Sequence, residues 1–465
     1  MRGNRDRPNT GRRMFLKGAG LTLTGVGLSS LFPTPFIHHA MAGPTSNKRL
    51  LYIFLRGGND AVNTVIPHGD PDYNTTNRPT LYIAPEVAID LNGFASLHPS
   101  LSDLMDVYNA GDLAVVHRVG YPEMTRSHFD GQVIWENGDP TNPLLFEGWL
   151  QRYIHEHLAD GFGRFPAVGS PNSGVLVTGE QTYKIDVANP DNFDYGAYAG
   201  SPKRDKYRAG WRAQYEQLSL NGLYRSILSE TEIKLQDAID EYATWDQANW
   251  HPQDPVSADY LYPVDATTDP GGIWPDNSRA FFKNLKVCAL SLLESDGLSP
   301  NGTRVAGAQF GGFDTHETQD ESGFHGSLLA ALGYGIRSLY LVLSGQANEP
   351  RGYPSIWDDT VIATMSEFGR TSIENGSKGT DHGNATVIFA AGGSINGGVY
   401  NADAGSWEPG ALFGDEGRDL SEVTDYRAVF WEILRDHMGA EPLAADAIFP
   451  GYSLLGLTEP GIVGV

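Results

Sequence analysis

Four short apolar segments of this chain each adjoin residues of the kind that bind metal ions. The segments are of strand length and rich in Val, Ile and Phe, and they span residues 50–55, 305–310, 360–365 and 385–391. Carboxylates and imidazoles follow the first three segments and precede the fourth: Asp60, Asp314 with His316, Glu367, and Asp381 with His382. The chain must therefore place several strands so that their ends can share one site.

Helical patterns separate these segments, which predicts an α/β fold with a mainly parallel central sheet flanked by helices. In such a sheet, ligands bind beyond the carboxyl ends of the strands. The first three groups are therefore expected on one rim, and the fourth can reach that rim from the loop before its strand. Carboxylates with imidazoles and no thiolate favour one or two divalent metal ions, with zinc, manganese, calcium and magnesium as candidates.

Residues 1–42 are predicted to be a twin-arginine signal peptide rather than part of the fold. Arg12 and Arg13 precede a weakly apolar, Gly-rich stretch at 18–32, and an A-x-A cleavage site ends at Ala42. This pattern indicates a periplasmic or secreted protein whose partner during export is the twin-arginine translocase. No later segment is expected to span a membrane in the mature form, because none is judged long and apolar enough.

The chain is acidic, with a formal net charge of −24. The predicted signal peptide carries six basic residues and one acidic residue, so the mature chain is more acidic still. Nucleic acid and anionic membrane surfaces are therefore poor partners. Cys288 is the only cysteine, which excludes an intrachain disulfide, and it is expected to be buried in a helix.

The metal-binding residue types extend from Asp60 to His382, so residues 43–465 are predicted to form a single domain around them. Pro and Gly collect at 186–210 and 252–276, on either side of a helical stretch at 211–250. Residues 186–276 are therefore predicted to be a helical insertion or cap on the main sheet.

Five motifs resemble the DUF1501 family of exported bacterial proteins. They are LYIFLRGGNDAVNTVIP at 51–67, TRSHFDGQVIWE at 125–136, DTH at 314–316, SEFGRT at 366–371 and TDHGN at 380–384. The resemblance covers nearly all of residues 49–440. The family is itself similar to the alkaline phosphatase superfamily, which includes sulfatases and cofactor-independent phosphoglycerate mutases. This implies an alkaline-phosphatase-like sheet and metal-dependent hydrolysis of phosphate or sulfate esters.

The same resemblance implies roles for particular residues. Asp60 stands after the first strand, residues 125–128 stand where the nucleophile begins a helix, and Asp314 with His316, as well as His382, stand at metal-ligand positions. Glu367 replaces the aspartate of an Asp-His pair, but Phe368 follows it where a histidine is expected. One imidazole is thus missing, so the resemblance implies one tight metal ion or two unequal ones unless Asp381 or His128 compensates.

The residues themselves suggest how an ester would be attacked. Ser127 is the preferred nucleophile, because it precedes an apolar helical pattern and can cap a helix whose free N–H groups attract anions. Thr125 is the alternative nucleophile. Arg126 and Arg370 are candidate clamps for the remaining ester oxygens, because a guanidinium matches phosphate or sulfate in two parallel hydrogen bonds.

Other interpretations remain open. Asp60 can be a turn residue, Glu367 and Arg370 can form an ordinary ion pair, and Ser127 can be a helix cap without chemistry. Three functions are compatible with the pattern: a hydrolase acting on a small-molecule ester or an anionic glycan, a catalytically silent binding or assembly protein, and a metal-dependent transferase or lyase.

Overall fold

The computed structural model describes residues 47–158, 244–294, 302–320 and 323–464, with short pieces at 167–169, 184–187, 190, 206, 209–210, 213, 239–240 and 242. The predicted signal peptide lies outside the described residues. So does most of the insertion predicted at 186–276.

The strands of the described residues agree closely with the apolar segments of the sequence. In chain order they are β1 (Arg49–Arg56), β2 (Val65–Ile66), β3 (Ile89–Asp90), β4 (Ser96–Leu97), β5 (Leu113–Gly120), β6 (Ala167–Gly169), β7 (Lys184–Asp186), β8 (Val305–Gly311), β9 (Thr360–Ser366), β10 (Thr386–Ala391), β11 (Gly398–Tyr400) and β12 (Thr424–Asp425). The four predicted segments correspond to β1, β8, β9 and β10, each within one residue of the expected bounds.

Helices connect and cover these strands. They are α1 (Ala61–Thr64), α2 (Met105–Asn109), α3 (His128–Asn137), α4 (Trp149–Tyr153), α5 (Asp276–Glu294), α6 (Phe324–Leu343), α7 (Tyr426–Glu432), α8 (Ala445–Ile448) and α9 (Tyr452–Leu455). Short 3-10 helices span Pro99–Leu104, Gln247–Asn249, Trp357–Asp359, Ala411–Phe413 and Pro442–Ala444, and π-helical turns span Ile154–Leu158 and Ile433–His437.

The central sheet is mostly parallel, which confirms the predicted α/β class. Its strand order is β11-β5-β10-β9-β1-β8-β6-β7, with β12 also paired to β5. Strand β1 runs parallel to both β8 and β9, whereas β10 runs antiparallel to β9 and β5. The carboxyl ends of β1, β5, β8 and β9 therefore lie at one edge, together with the amino end of β10.

Both faces of the sheet are covered, which explains why its strands are apolar without alternation. Successive side chains of β1 point to opposite faces. Leu51 and Ile53 join a core that includes Phe281 of α5, whereas Tyr52 joins a second core that includes Trp149 of α4. Helices from distant parts of the sequence thus cover both faces, and the site can form only at the strand ends.

Helix α6 is a core helix. Contrary to the expectation that no later segment could span a membrane, it is long and apolar enough by composition, but most of it is buried within the fold. A methyl group on its Gly335 would lie 2.7 Å from a side-chain carbon of Leu285, so glycine permits close packing against α5. Cys288 of α5 is buried, as predicted, and donates its thiol proton to the Gly307 carbonyl.

Candidate metal centre

Three imidazoles meet one carboxylate at the rim of the sheet. Asp314 Oδ1 lies 2.9 Å from His316 Nε2 and 3.2 Å from His382 Nε2, and Asp314 Oδ2 lies 3.3 Å from His128 Nε2. The Nε2 atoms of His316 and His382 are 2.9 Å apart. We refer to His128, Asp314, His316 and His382 as the rim cluster. Their approach confirms that residues after β8 and before β10 share one rim.

Each imidazole is oriented by an oxygen atom on its other nitrogen. Nδ1 of His382 lies 2.7 Å from the Arg126 carbonyl, Nδ1 of His316 lies 3.2 Å from Asp381 Oδ1, and Nδ1 of His128 lies 2.9 Å from Glu367 Oε1. These oxygens only accept hydrogen bonds, so each Nδ1 carries a proton, and in the neutral ring Nε2 keeps its lone pair. Metal-binding histidines in proteins are oriented in the same way.

The rim cluster concentrates lone pairs that need a positive charge between them. Burial lowers the pKa of His382 below its ordinary value, so its ring is neutral near pH 7 and its Nε2 lone pair faces a carboxylate oxygen. The buried Oε2 of Glu367 has no hydrogen-bond partner among the described residues, and the buried Nε2 of His128 faces Asp314 Oδ2 at 3.3 Å. A divalent cation satisfies this arrangement, and one ligand atom each of His128, Asp314 and His382 lie within 4.8 Å of one another, a nitrogen-rich set suited to zinc.

A proton would compete with a metal ion at His128. The hydrogen bond to Glu367 raises the pKa of His128 above its ordinary value, and burial only partly opposes this effect. Metal binding requires the neutral imidazole, so any affinity at this position must weaken as pH falls.

Glycines allow the loops of the site to touch. Gly57 adopts φ +120°, and a Cβ there would lie 2.4 Å from the Asp314 amide nitrogen. A Cβ on Gly379 would lie 2.3 Å from the carbonyl carbon of His316. Backbone therefore packs directly on backbone beneath the rim cluster, which only glycine permits.

Phe368 stands where the resemblance led us to expect a histidine. Its ring is fully buried, with centroids 4.9 Å from the His128 ring and 4.7 Å from the His382 ring. It packs against both imidazoles. Of the two residues expected to compensate for the missing imidazole, His128 faces Asp314, whereas Asp381 contacts His316 on the opposite side of its ring.

Glu367 and Asp381 orient histidines, which changes the roles predicted for them. Glu367 is fully buried, and its Oε1 accepts hydrogen bonds from Gly57 N, His128 Nδ1 and Gln132 Nε2, leaving only Oε2 to meet a cation. Asp381 Oδ1 accepts from His316 Nδ1 and from Asn375 Nδ2. Asp381 therefore orients His316 and does not share the face on which Asp314 lies.

Asp60 is not part of the rim cluster, which corrects its prediction as a metal ligand. Arg78 Nη1 and Nη2 lie 2.7 and 3.1 Å from its two carboxylate oxygens, and Gln319 Nε2 lies 2.7 Å from Oδ2. Burial raises the pKa of Asp60, but the charge and hydrogen bonds of Arg78 outweigh it and lower the value to about 2. Its carboxylate is thus committed to a buried ion pair.

Neither predicted arginine clamp is free. Arg126 forms ion pairs with Asp415, Glu416 and Asp419. Arg370 is buried and directs Nη1 and Nη2 to Asp314 Oδ1 at 3.1 and 3.0 Å. The function of Arg370 in the site is therefore to hold Asp314. Burial raises the pKa of Asp314, but its cationic neighbours, with Arg370 first, lower that pKa below its usual value.

The predicted nucleophiles lie next to the rim cluster in sequence. Ser127 caps α3, as expected, and its Oγ accepts from the Asp130 amide at 3.4 Å. Thr125 Oγ1 accepts from the Ser127 amide at 3.2 Å. Both residues are partly exposed.

Two supporting residues had not been singled out from the sequence. Gln132 lies one helical turn after His128, and both side chains contact Glu367 Oε1. The spacing of four residues predicts that the two side chains share one face of α3. Arg78 lies in a loop, and nothing in the sequence indicates that it pairs with Asp60.

Fold and site together define an α/β protein with a histidine- and carboxylate-rich centre at the carboxyl rim of its sheet. A family model described as "Protein of unknown function (DUF1501)" matches residues 280–407, which confirms the resemblance drawn from the sequence motifs. That match includes Asp314, His316, Glu367 and His382. Among curated proteins, none matches this chain.

Solved structures also resemble this fold. One is the crystal structure of the lipoteichoic acid synthase LtaP from Listeria monocytogenes, which is 9% identical, with 77% of this chain and 69% of that chain covered and a TM-score of 0.31. Similarity at this level is too low to transfer activity or site residues.

Proposed function

We propose that this protein binds one divalent metal ion, with zinc as the first candidate, through the rim cluster. The main support is that three imidazoles, each held by a hydrogen bond at Nδ1, direct Nε2 toward the Asp314 carboxylate. Nitrogen ligands favour zinc over calcium or magnesium, which prefer oxygen. Among the described residues beside the cluster, Glu367 Oε2 is a buried acceptor without a hydrogen-bond partner, so one further ligand but no second ion of equal affinity is expected.

We further propose that the bound ion serves hydrolysis of small phosphate or sulfate esters outside the cytoplasm. The ion would act as a Lewis acid on the ester. Asp314 would remain ionised, because Arg370 lowers its pKa, and Arg370 would also fix its direction. The Nδ1 hydrogen bonds would keep the three imidazoles in the tautomer that binds metal.

Ser127 is the proposed nucleophile, with Thr125 as the alternative. The Oγ of Ser127 accepts the Asp130 amide hydrogen in its capping role, and the residue is partly exposed. It precedes His128 directly, at the amino end of α3, where the helix dipole favours a developing negative charge.

A silent binding protein is the second candidate function. It is favoured by one specific observation, which is that Arg126 and Arg370 are both held by carboxylates. Neither is then free to bind the remaining oxygens of an ester. Any turnover of simple esters should therefore be weak.

Metal content and turnover test these proposals together. Protein recovered after export without chelators should contain about one zinc ion per chain by elemental analysis. Ser127→Ala should keep the metal but lose hydrolysis of p-nitrophenyl phosphate and sulfate, whereas His382→Ala should lose both. Glu317→Gln is a matched control, because Glu317 is exposed and adjacent to His316. A metal-free wild-type protein would contradict the centre, and bound metal without turnover would support the binding protein.

Export has its own test. Arg12→Lys combined with Arg13→Lys should retain the protein in the cytoplasm, because the arginine pair is what the translocase recognises. Normal export of this double variant would contradict the proposed localisation.

A further inference from the structure

A cavity of about 480 Å³ lies near the amino end of α6 and shares no residue with the rim cluster. This volume is within the range of small-molecule sites in proteins. Apolar surface comes from Leu81, Ile83 and Val87, with Tyr82 beside them, and the polar residues include His98 and Asp320. The cavity therefore combines apolar walls with a few polar groups, as ligand sites do.

His98 presents a hydrogen-bond donor to this region. It is only 6% exposed, and its Nδ1 accepts the Ser100 amide hydrogen at 3.1 Å. Burial lowers the pKa of His98 to about 4, so the ring is neutral near pH 7. Because Nδ1 accepts, the single ring proton is on Nε2.

Asp320, which lines the cavity, and His325, which does not, have the opposite polarity. His325 is fully buried, its Nε2 lies 3.4 Å from Asn59 Oδ1, and its Nδ1 has no partner among the described residues. Burial lowers the pKa of His325 to about 3, and burial followed by the nearby charge of Asp60 raises that of Asp320 to about 6. Near neutral pH, the imidazole is uncharged and the carboxylate is mostly ionised.

One oxygen atom can bridge the two polar side chains that line the cavity, His98 and Asp320. His98, Asp320 and His325 each offer a nitrogen or oxygen within 4.8 Å of the others. Two polar atoms no more than 4.8 Å apart can both lie within hydrogen-bond distance of one oxygen atom. A group that accepts one hydrogen bond and donates another matches His98 Nε2–H and the Asp320 carboxylate, and an alcohol hydroxyl has this character.

We propose that this cavity binds a neutral sugar ring through a hydroxyl held by His98 and Asp320, which both line it. The hydroxyl accepts from His98 Nε2–H and donates to the Asp320 carboxylate. Tyr82 and the aliphatic residues provide surface for the apolar face of the ring. The Asp320 carboxylate opposes an anionic ligand. A metal ion held by all three residues is disfavoured, because His98 Nε2 carries a proton and could release it only by giving up its bond from Ser100.

His98→Asn is the decisive variant. The asparagine oxygen can still accept the Ser100 amide hydrogen, but the Nε2–H donor is lost. Titrations of the full-length chain with N-acetylglucosamine and methyl β-glucopyranoside, followed by NMR, should show saturable wild-type binding. His98→Asn and Asp320→Asn should each weaken it about tenfold, equivalent to about 1.4 kcal/mol. Glu86→Gln, an exposed change on the neighbouring loop, should leave the affinity unchanged.

The outcomes are distinct. Absence of saturable binding by the wild-type chain would overturn the proposal, because water alone would then satisfy His98 and Asp320. Equal sugar affinity in wild-type protein and His98→Asn would overturn it as well. A loss of bound zinc in His98→Asn, with the rim cluster intact, would show a metal site instead. Unchanged thermal unfolding of both variants ensures that weaker binding reflects the lost hydrogen bonds.

Discussion

Asp60 and Asp314 follow adjacent parallel strands, and both pair with an arginine, yet the structure uses them differently. The side chain of Asp60 is fully buried, whereas that of Asp314 is 46% exposed. Arg78 engages both oxygens of Asp60, but Arg370 engages only Oδ1 of Asp314. Whether a carboxylate at a strand end is structural or available to a metal ion therefore depends on the side chains that other loops place beside it.

Removing each carboxylate should separate stability from metal binding. Asp60→Ala should lower the free energy of unfolding by about 3–5 kcal/mol, because Arg78 would remain buried without a counter-charge. Asp314→Ala should lose metal with a far smaller change in stability. Denaturant unfolding and elemental analysis of both variants check this, and equal destabilisation would remove the distinction.

Within the rim cluster, loss of one imidazole should have the next largest effect. His382→Ala should weaken zinc binding by at least about 100-fold, which is the upper range reported for residues that merely support a metal ligand. Competition with a fluorescent zinc chelator measures this, with Glu317→Gln as the unchanged control. Wild-type affinity in His382→Ala would place the ion elsewhere.

Acid should weaken the ion pair of Asp60 and metal binding at the rim cluster at different pH values. The pKa of Asp60 is lowered from 3.8 to about 2, so its contribution to stability is complete above pH 3.8 and is lost as pH falls through 2. This amounts to about 2 kcal/mol. Asp60→Asn should lack that part of the acid dependence. Metal binding should already weaken at higher pH, as His128 takes up a proton. Stability profiles of wild type and Asp60→Asn that remain parallel below pH 4 would contradict this assignment.

The smallest effect is expected where a residue supports a ligand. Glu367→Gln can still accept from His128 Nδ1 but lacks the charge, so zinc affinity should fall about tenfold. The pKa of His128 should also fall, since Glu367 is the main cause of its increase. NMR titration of the His128 ring measures this. An unchanged pKa would mean that Glu367 does not control that histidine.

Much of the rim was predictable because its causes are local or topological. Strands β1, β8, β9 and β10 follow from apolar segments of strand length. Parallel pairing brings the residues after β1, β8 and β9 to one edge, and the antiparallel β10 begins at that edge. Ser127 was predictable as a cap because a polar residue before a helical pattern supplies the missing acceptor. The family resemblance, confirmed at residues 280–407, narrowed the candidates further.

Pairings across long loops were not predictable. Arg126 meets residues near 415–419, almost 290 positions away, and its carbonyl also holds His382. Asp381 and Glu367 looked like ligands because a sequence does not show which ring nitrogen a carboxylate will contact. These choices depend on distances of about 3 Å between loops, which no local pattern encodes.

The sequence by itself determined the α/β class, the strands and the set of chemical groups delivered to one rim, because apolar patterning and strand direction fix these. Only the tertiary structure decided that Arg78 removes Asp60 from the site, that Arg370 fixes Asp314 and that His128 faces Asp314. The physical reason is that a buried carboxylate takes whichever cation and donors surround it, and those neighbours are set by loop packing.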